Sequence, residues 1–206
     1  MLNDPNNIDI LETHRDIALF NKNYQKALDI IDKLEEKKGF SSKLFIQKSV
    51  LNEQLNKSQL ALDIMYKAYE LDSLNINILQ RLVSLLLDQG LNEDALLYNE
   101  QIINLFPQDS QGFINYAVML LSDKNPQEAI KLLKNNSDRF SNDYMIQYLL
   151  GTSYYQIKDY PNAEVYLSNA LKIFPDSRNT KHNLALIYDI KNEWEKSDRL
   201  YLDLIA

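Results

Sequence analysis

The chain has 206 residues, of which 45% are apolar, with no cysteine, four glycines and a net charge of −7. This balance argues against a surface that tracks nucleic-acid phosphates, which needs clustered Lys and Arg. The lack of cysteine excludes disulfides and thiolate metal sites, and no apolar run approaches the roughly 20 residues needed to span a bilayer. The start, Met1 to Asp9, is polar and does not read as a secretory signal, which leaves cytoplasm as the default compartment.

Taken in order, the chain reads as a lead-in over 1–7 and then six similar stretches. The first, 8–41, has a polar break at Lys22-Asn23-Tyr24, then Ala27 and Leu34. The second, 42–75, breaks at Asn56-Lys57-Ser58 and continues with Ala61 and Ala68. In 76–109 the break is Gly90-Leu91-Asn92, followed by Ala95 and Ile102; in 110–143 it is Lys124-Asn125-Pro126, followed by Ala129 and Asn136. The fifth, 144–177, has Lys158-Asp159-Tyr160 with Ala163 and Ala170. The sixth, 178–206, has Asn192-Glu193-Trp194 with Ser197 and Leu204, and is expected to be incomplete because it lacks a helix-exit signal.

A small residue therefore returns every 34 positions, from Ala27 to Ala163 and then at Ser197. Where two helices cross closely, a bulky side chain would force the backbones apart, so a small one is selected. The column seven residues on lies two helical turns away, on the same face of the same helix. A third column, Arg15, Ser49, Val83, Ala117, Gly151 and Ala185, precedes the break and belongs to another helix. Each stretch is therefore helix, short turn, helix.

The punctuation agrees. Pro126 and Pro161 fall in the first turn of a second helix, where a missing N–H costs nothing, with Asn125 and Asp159 before them as expected caps. Pro107 and Pro175 close second helices, in the column that also holds Gly39, Ser73 and Ser141. Tyr154 and Tyr188 are expected to pack in the core, and Tyr160 and Trp194 to staple neighbouring turns.

With these residues in view the chain resembles the tetratricopeptide repeat family, whose unit is a 34-residue helix–turn–helix. Leu150-Gly151, Tyr154, Ala163, Leu167, Ala170 and Pro175 reproduce most of its signature in order, although Gln147 stands where a large residue is expected. His14-Arg15 and Lys48-Ser49 replace the apolar–small pair in the first two units. The resemblance implies an all-α, right-handed α-solenoid of six repeats and about twelve antiparallel helices, 8–206, with the first helices lining a concave groove. Mapped onto this sequence, that groove holds Ile46, Val50, Gln80, Ser84, Leu87, Ile114, Val118, Leu121, Tyr148, Thr152, Tyr155 and Leu186. It is acidic near Asp9, Glu12 and Asp16, and apolar and aromatic in the fourth and fifth repeats.

Two binding modes of the family fit poorly. A clamp for a chaperone's terminal carboxylate needs a Lys–Asn pair that no repeat supplies, and the asparagine ladder of sugar-transferase arrays is replaced by Thr13, Gln47, Arg81, Asn115, Leu149 and Asn183. RNA-reading helical repeats need a basic groove, which the charge argues against. Catalytic groups are not expected: His14 and His182 lie far apart in sequence, Glu12 and Asp16 read as a solvated helix face, and no phosphate loop or metal-spaced triplet occurs. No cofactor is implied. The expectation is a non-catalytic scaffold that binds a protein or peptide, apolar or amphipathic, in the groove, with no nucleic acid and no membrane insertion. Self-association is expected through Tyr188, Leu204 and Ile205 of the uncapped sixth repeat. The alternative is a recruiting arm of a larger enzyme or secretion machine.

Overall fold

The computed structural model describes residues 7–205; the lead-in over 1–6 and Ala206 lie outside them. Twelve helices and no strand occur among the described residues, in two compact units. The first unit, up to Leu105, contains α1 (Ile8–Phe20), α2 (Tyr24–Lys38), α3 (Ser42–Gln54), α4 (Ser58–Leu71), α5 (Ile76–Asp88) and α6 (Asn92–Leu105). The second, from Phe106, contains α7 (Ser110–Ser122), α8 (Pro126–Lys134), α9 (Tyr144–Gln156), α10 (Tyr160–Ile173), α11 (Arg178–Ile190) and α12 (Trp194–Ile205). Within each unit consecutive helices pack on one another. Odd-numbered helices also touch directly, α3 on α5 in the first unit and α7 on α9 on α11 in the second.

The alanine column sits where the sequence argument places it. Ala27, Ala61, Ala95, Ala129 and Ala163 are completely buried, and Ser197 is 1% exposed. The approach at Gly151 is tight: a Cβ added there would lie 2.5 Å from Leu167 Cγ and 3.0 Å from its backbone N, across the α9–α10 contact. Large apolar side chains fill the space around these crossings, among them Ile31 and Leu34 in the first unit and Leu150 and Leu167 in the second.

All six intra-repeat turns share one backbone solution. Lys22, Asn56, Gly90, Lys124, Lys158 and Asn192 each adopt a left-handed φ, between 54° and 73°. In every case the next residue donates its N–H to the carbonyl five positions back, as from Asn23 to Ala18 or from Asp159 to Tyr154, at 2.8–2.9 Å. This 6→1 bond satisfies a helix-end carbonyl and reverses the chain in two residues. The first helices of the repeats start equally regularly, after Asn7, Ser41, Asn75, Asp109, Asp143 and Ser177; all but Ser41 accept a backbone N–H bond at the helix start.

The structure departs from the sequence reading at four places. The second helix of the fourth repeat stops at Lys134, so Asn136 lies outside it rather than on its face. There Asn136 bonds back to the Leu132 carbonyl and Ser137 to that of Lys134, offering the backbone an alternative to further helix. The chain then turns to bury Phe140 against Phe113, 5.4 Å between ring centroids. Arg15, which the sequence marks only as polar where the pattern has a small residue, is buried, with its guanidinium 2.8 Å from the exposed Asp16 carboxylate. Asn125 precedes Pro126 without a side-chain capping bond, whereas Asp159 does cap α10. Trp194 is 56% exposed, more open than a staple requires, while Tyr160 packs edge-on against Tyr155.

Two substitutions test this packing. Gly151→Val should destabilise the chain by about 3 kcal/mol in urea unfolding, because Leu167 has no open side to move into. Lys124→Gly or Lys158→Gly should stabilise by about 0.5–1 kcal/mol, since a left-handed φ is strained for lysine and free for glycine.

Candidate peptide-binding surfaces

In the first unit α3 and α5 are adjacent, and between them lies a cavity of about 580 Å³. Ile46, Gln80 and Ser84 of the expected set meet there. Val50, 38% exposed, and the half-buried Leu87 do not line it. The cavity also takes in Lys43, Gln47 and Arg81, so polar and charged tips border a lining surface that is mostly apolar. Gln47 and Arg81, outside the expected set, follow Lys43 and Asn77 by four residues, one helical turn, a spacing that puts each pair on one helix face. The Oε1 of Gln47 is buried without a hydrogen-bond partner, an acceptor a bound N–H could reach.

Arg81 holds this wall in place. Its Nη2 lies 2.5 Å from Glu53 Oε2 on α3, and its Nε lies 3.4 Å from the Ser49 hydroxyl. Of the acidic residues expected near the chain start, Glu12 and Asp16 are paired within the unit, Asp16 with Arg15. Glu12 is 2.6 Å from the Lys38 ammonium, whose hydrogen bond and charge hold its carboxyl below the usual range. Lys48 bridges Asp32 and Glu35 at 2.7 and 2.9 Å.

In the second unit the expected residues lie on α7, α9 and α11. Val118 is 40% exposed, whereas Ile114, at 8%, faces mostly inward and offers little surface. Leu121, Tyr148, Thr152, Tyr155 and Leu186 are half-buried. Tyr148 is fixed from two sides: its ring stacks on Tyr144 at 5.9 Å and 19°, and its hydroxyl accepts a bond from Asn183 Nδ2 of α11 at 3.3 Å. Burial pushes its phenol above the ordinary tyrosine range, so it remains neutral. Tyr144 is itself anchored by hydroxyl contacts to Ser177 and Thr180 at 2.7 and 3.1 Å. The result is a row of rigid aromatic rings beside an open aliphatic position, which costs little side-chain entropy to present.

No protein-family model and no curated protein matches the sequence. Solved structures do. PilF of Pseudomonas aeruginosa superposes with a TM-score of 0.78 at 18% identity, over 96% of this chain and 90% of that one. A tetratricopeptide repeat protein of Parabacteroides merdae gives 0.75 at 15% identity, over 95% and 77%. The fold is that of the tetratricopeptide repeat. A third tetratricopeptide structure, YrrB, described as having an unusual peptide-binding site, gives 0.62 at 18% identity over 85% and 90%. These identities carry the architecture and not the partner. Among the described residues, no three acidic or histidine side chains are placed to hold a metal, and no helix is long and apolar enough to cross a membrane.

Of the residues expected to mediate self-association, Ile205 is 82% exposed and Leu204 half-buried, with the Leu204 carbonyl accepting from Arg178 at 2.7 Å. Tyr188 lies elsewhere, beneath the Lys196 ammonium, which stands 5.0 Å from its ring centre.

If Arg81 ties α5 to α3, Arg81→Met should cost about 1 kcal/mol in urea unfolding and less at high salt. Lys131→Met, which removes an exposed pair with Glu128, should change stability by less than about 0.5 kcal/mol.

Proposed function

We propose that the chain is a non-catalytic protein-interaction scaffold and that the faces of its odd-numbered helices hold a peptide or helix. The observation that carries this reading is the α7–α9–α11 face, where Val118 is open beside the fixed ring of Tyr148 and the half-buried Leu121, Tyr155 and Leu186. Aliphatic and aromatic groups left partly open on a rigid surface favour an apolar or amphipathic ligand, because burying them removes apolar area from water with little ordering cost. The α3–α5 cavity, with Lys43 and Arg81 on its wall and an unpaired Gln47 oxygen, suits a ligand's polar or anionic groups. The peptide-binding site named for YrrB supports placing such a role on this fold.

A randomised peptide library selected on the purified chain should return sequences with at least two large apolar residues. Val118→Asp combined with Tyr148→Ala should weaken the best of them at least about tenfold, with helix content unchanged by circular dichroism. Retained affinity in that variant would reject this face as the binding surface.

A further inference from the structure

The second helices of neighbouring repeats leave a groove between them, floored by the intervening first helix, and the grooves within the two units differ in what lines them. Between α2 and α4 a groove of about 580 Å³ remains, bordered by Phe40, Phe45 and Leu71, and the Lys48 ammonium on its floor is taken up by Asp32 and Glu35. Between α4 and α6 three rings close the gap: Tyr98 lies 6.3 Å from Tyr66 and 5.2 Å from Tyr69. Between α8 and α10, Tyr166 stacks flat on Tyr154 at 5.4 Å and 5°, with Lys134 and Asp138 of the preceding repeat close enough to act on its phenol.

The groove between α10 and α12 has none of these closures. Four repeats after Asp32, Glu35 and Lys48 stand Ser168, Leu171 and Leu184, so the ion bridge is gone and its place is aliphatic. One repeat after Tyr166 stands Leu200, too short to stack on Tyr188 as Tyr166 stacks on Tyr154. What remains is a groove of about 320 Å³ floored by Leu171, Leu184, Tyr188 and Leu200.

Its rim is cationic in a chain whose net charge is −7. Lys172, Lys196 and Arg199 border it, and two of them stand where the first groove's helices carry Glu36 and Asp63. Of the carboxylates around Tyr188, Glu193 is engaged by Lys196 and Glu164 by Lys191, each at 2.5 Å. Among the described residues neither Lys172 nor Arg199 forms an ion pair; Lys172 reaches only the Asn169 side-chain oxygen, at 3.4 Å. An apolar floor with unneutralised cations on its rim is complementary to one chemistry: aliphatic side chains flanked by carboxylates.

We infer that the α10–α12 groove is a second docking site, separate from the α7–α9–α11 face, and that it takes an acidic, leucine-bearing segment of another protein. Arg199 and Lys172 meet the carboxylates, and Leu171, Leu184 and Leu200 meet the aliphatic side chains.

The test uses the full chain with labelled leucine methyls and a synthetic peptide of about ten residues that alternates glutamate with leucine at helical spacing. Saturable shifts are expected at Leu171, Leu184 and Leu200. Affinity should fall at least about tenfold in Arg199→Glu, in Leu200→Asp, and for the same peptide with lysine in place of glutamate. Val118→Asp, on the other face, should leave this binding unchanged, which separates failure here from failure of the proposed function. If Leu200→Asp unfolds the chain, Arg199→Glu and the lysine peptide carry the test. Absence of saturable shifts, equal binding of the two peptides, or shifts that move to α7 and α9 would overturn the proposal. So would sedimentation showing a concentration-dependent dimer that Arg199→Glu abolishes, because the occupant would then be a second copy of the chain.

Discussion

The close crossing of the two helices within each repeat is the constraint on which the rest of this structure depends. It requires a side chain no larger than alanine or serine at one position of the second helix, and Ala27, Ala61, Ala95, Ala129, Ala163 and Ser197 meet that requirement with essentially no exposed surface. Once the crossing is set, the turn before it has little choice: a left-handed residue and a 6→1 bond reverse the chain within two residues. The turn residues bear conformational strain at Lys22, Lys124 and Lys158 that packing of the flanking helices offsets. Repetition of one small solution, not a single large core, gives each unit its stability.

Because the repeat fixes the backbone, chemistry is free to vary in what fills the spaces between helices. Along the second helices the same structural slot is lined by a Lys48 ion bridge, closed by a tyrosine trio or a Tyr154–Tyr166 stack, and in the last case left open with leucines and a cationic rim. Along the first helices the α3–α5 wall is bordered by polar and charged tips and held by Arg81, whereas α7, α9 and α11 present aliphatic and aromatic groups. Recognition in such a chain is a matter of which slots the protein closes with its own side chains and which it leaves for a partner.

The fold class and the helix–turn–helix unit were legible because small residues, prolines and polar breaks recur in one register, and a period is robust to local exceptions. Two equally regular features are harder to see in the residues alone. The six N-cap positions from Asn7 to Ser177 and the left-handed column from Lys22 to Asn192 vary in residue type, since Asn, Asp and Ser all cap, and Lys, Asn and Gly all tolerate the turn. The early end of α8 was hidden for the opposite reason: Asn136 kept the period while its amide bonded to the Leu132 carbonyl at the helix end. The candidate surfaces were only partly legible. A position in the repeat says which way a residue faces, but not whether a neighbour such as Asn183 or Glu53 has already engaged it. The open α10–α12 groove could be found only by comparing side chains that lie in separate helices.

Native-state hydrogen exchange of an Ala163→Leu variant tests the central claim most directly. If the crossing is the organising contact and stability is passed between neighbouring repeats, amides of α9, α10 and α11 should lose most of their protection while α1 to α5 keep theirs. Protection unchanged at α9 and α10, or lost uniformly along the whole chain, would contradict the account.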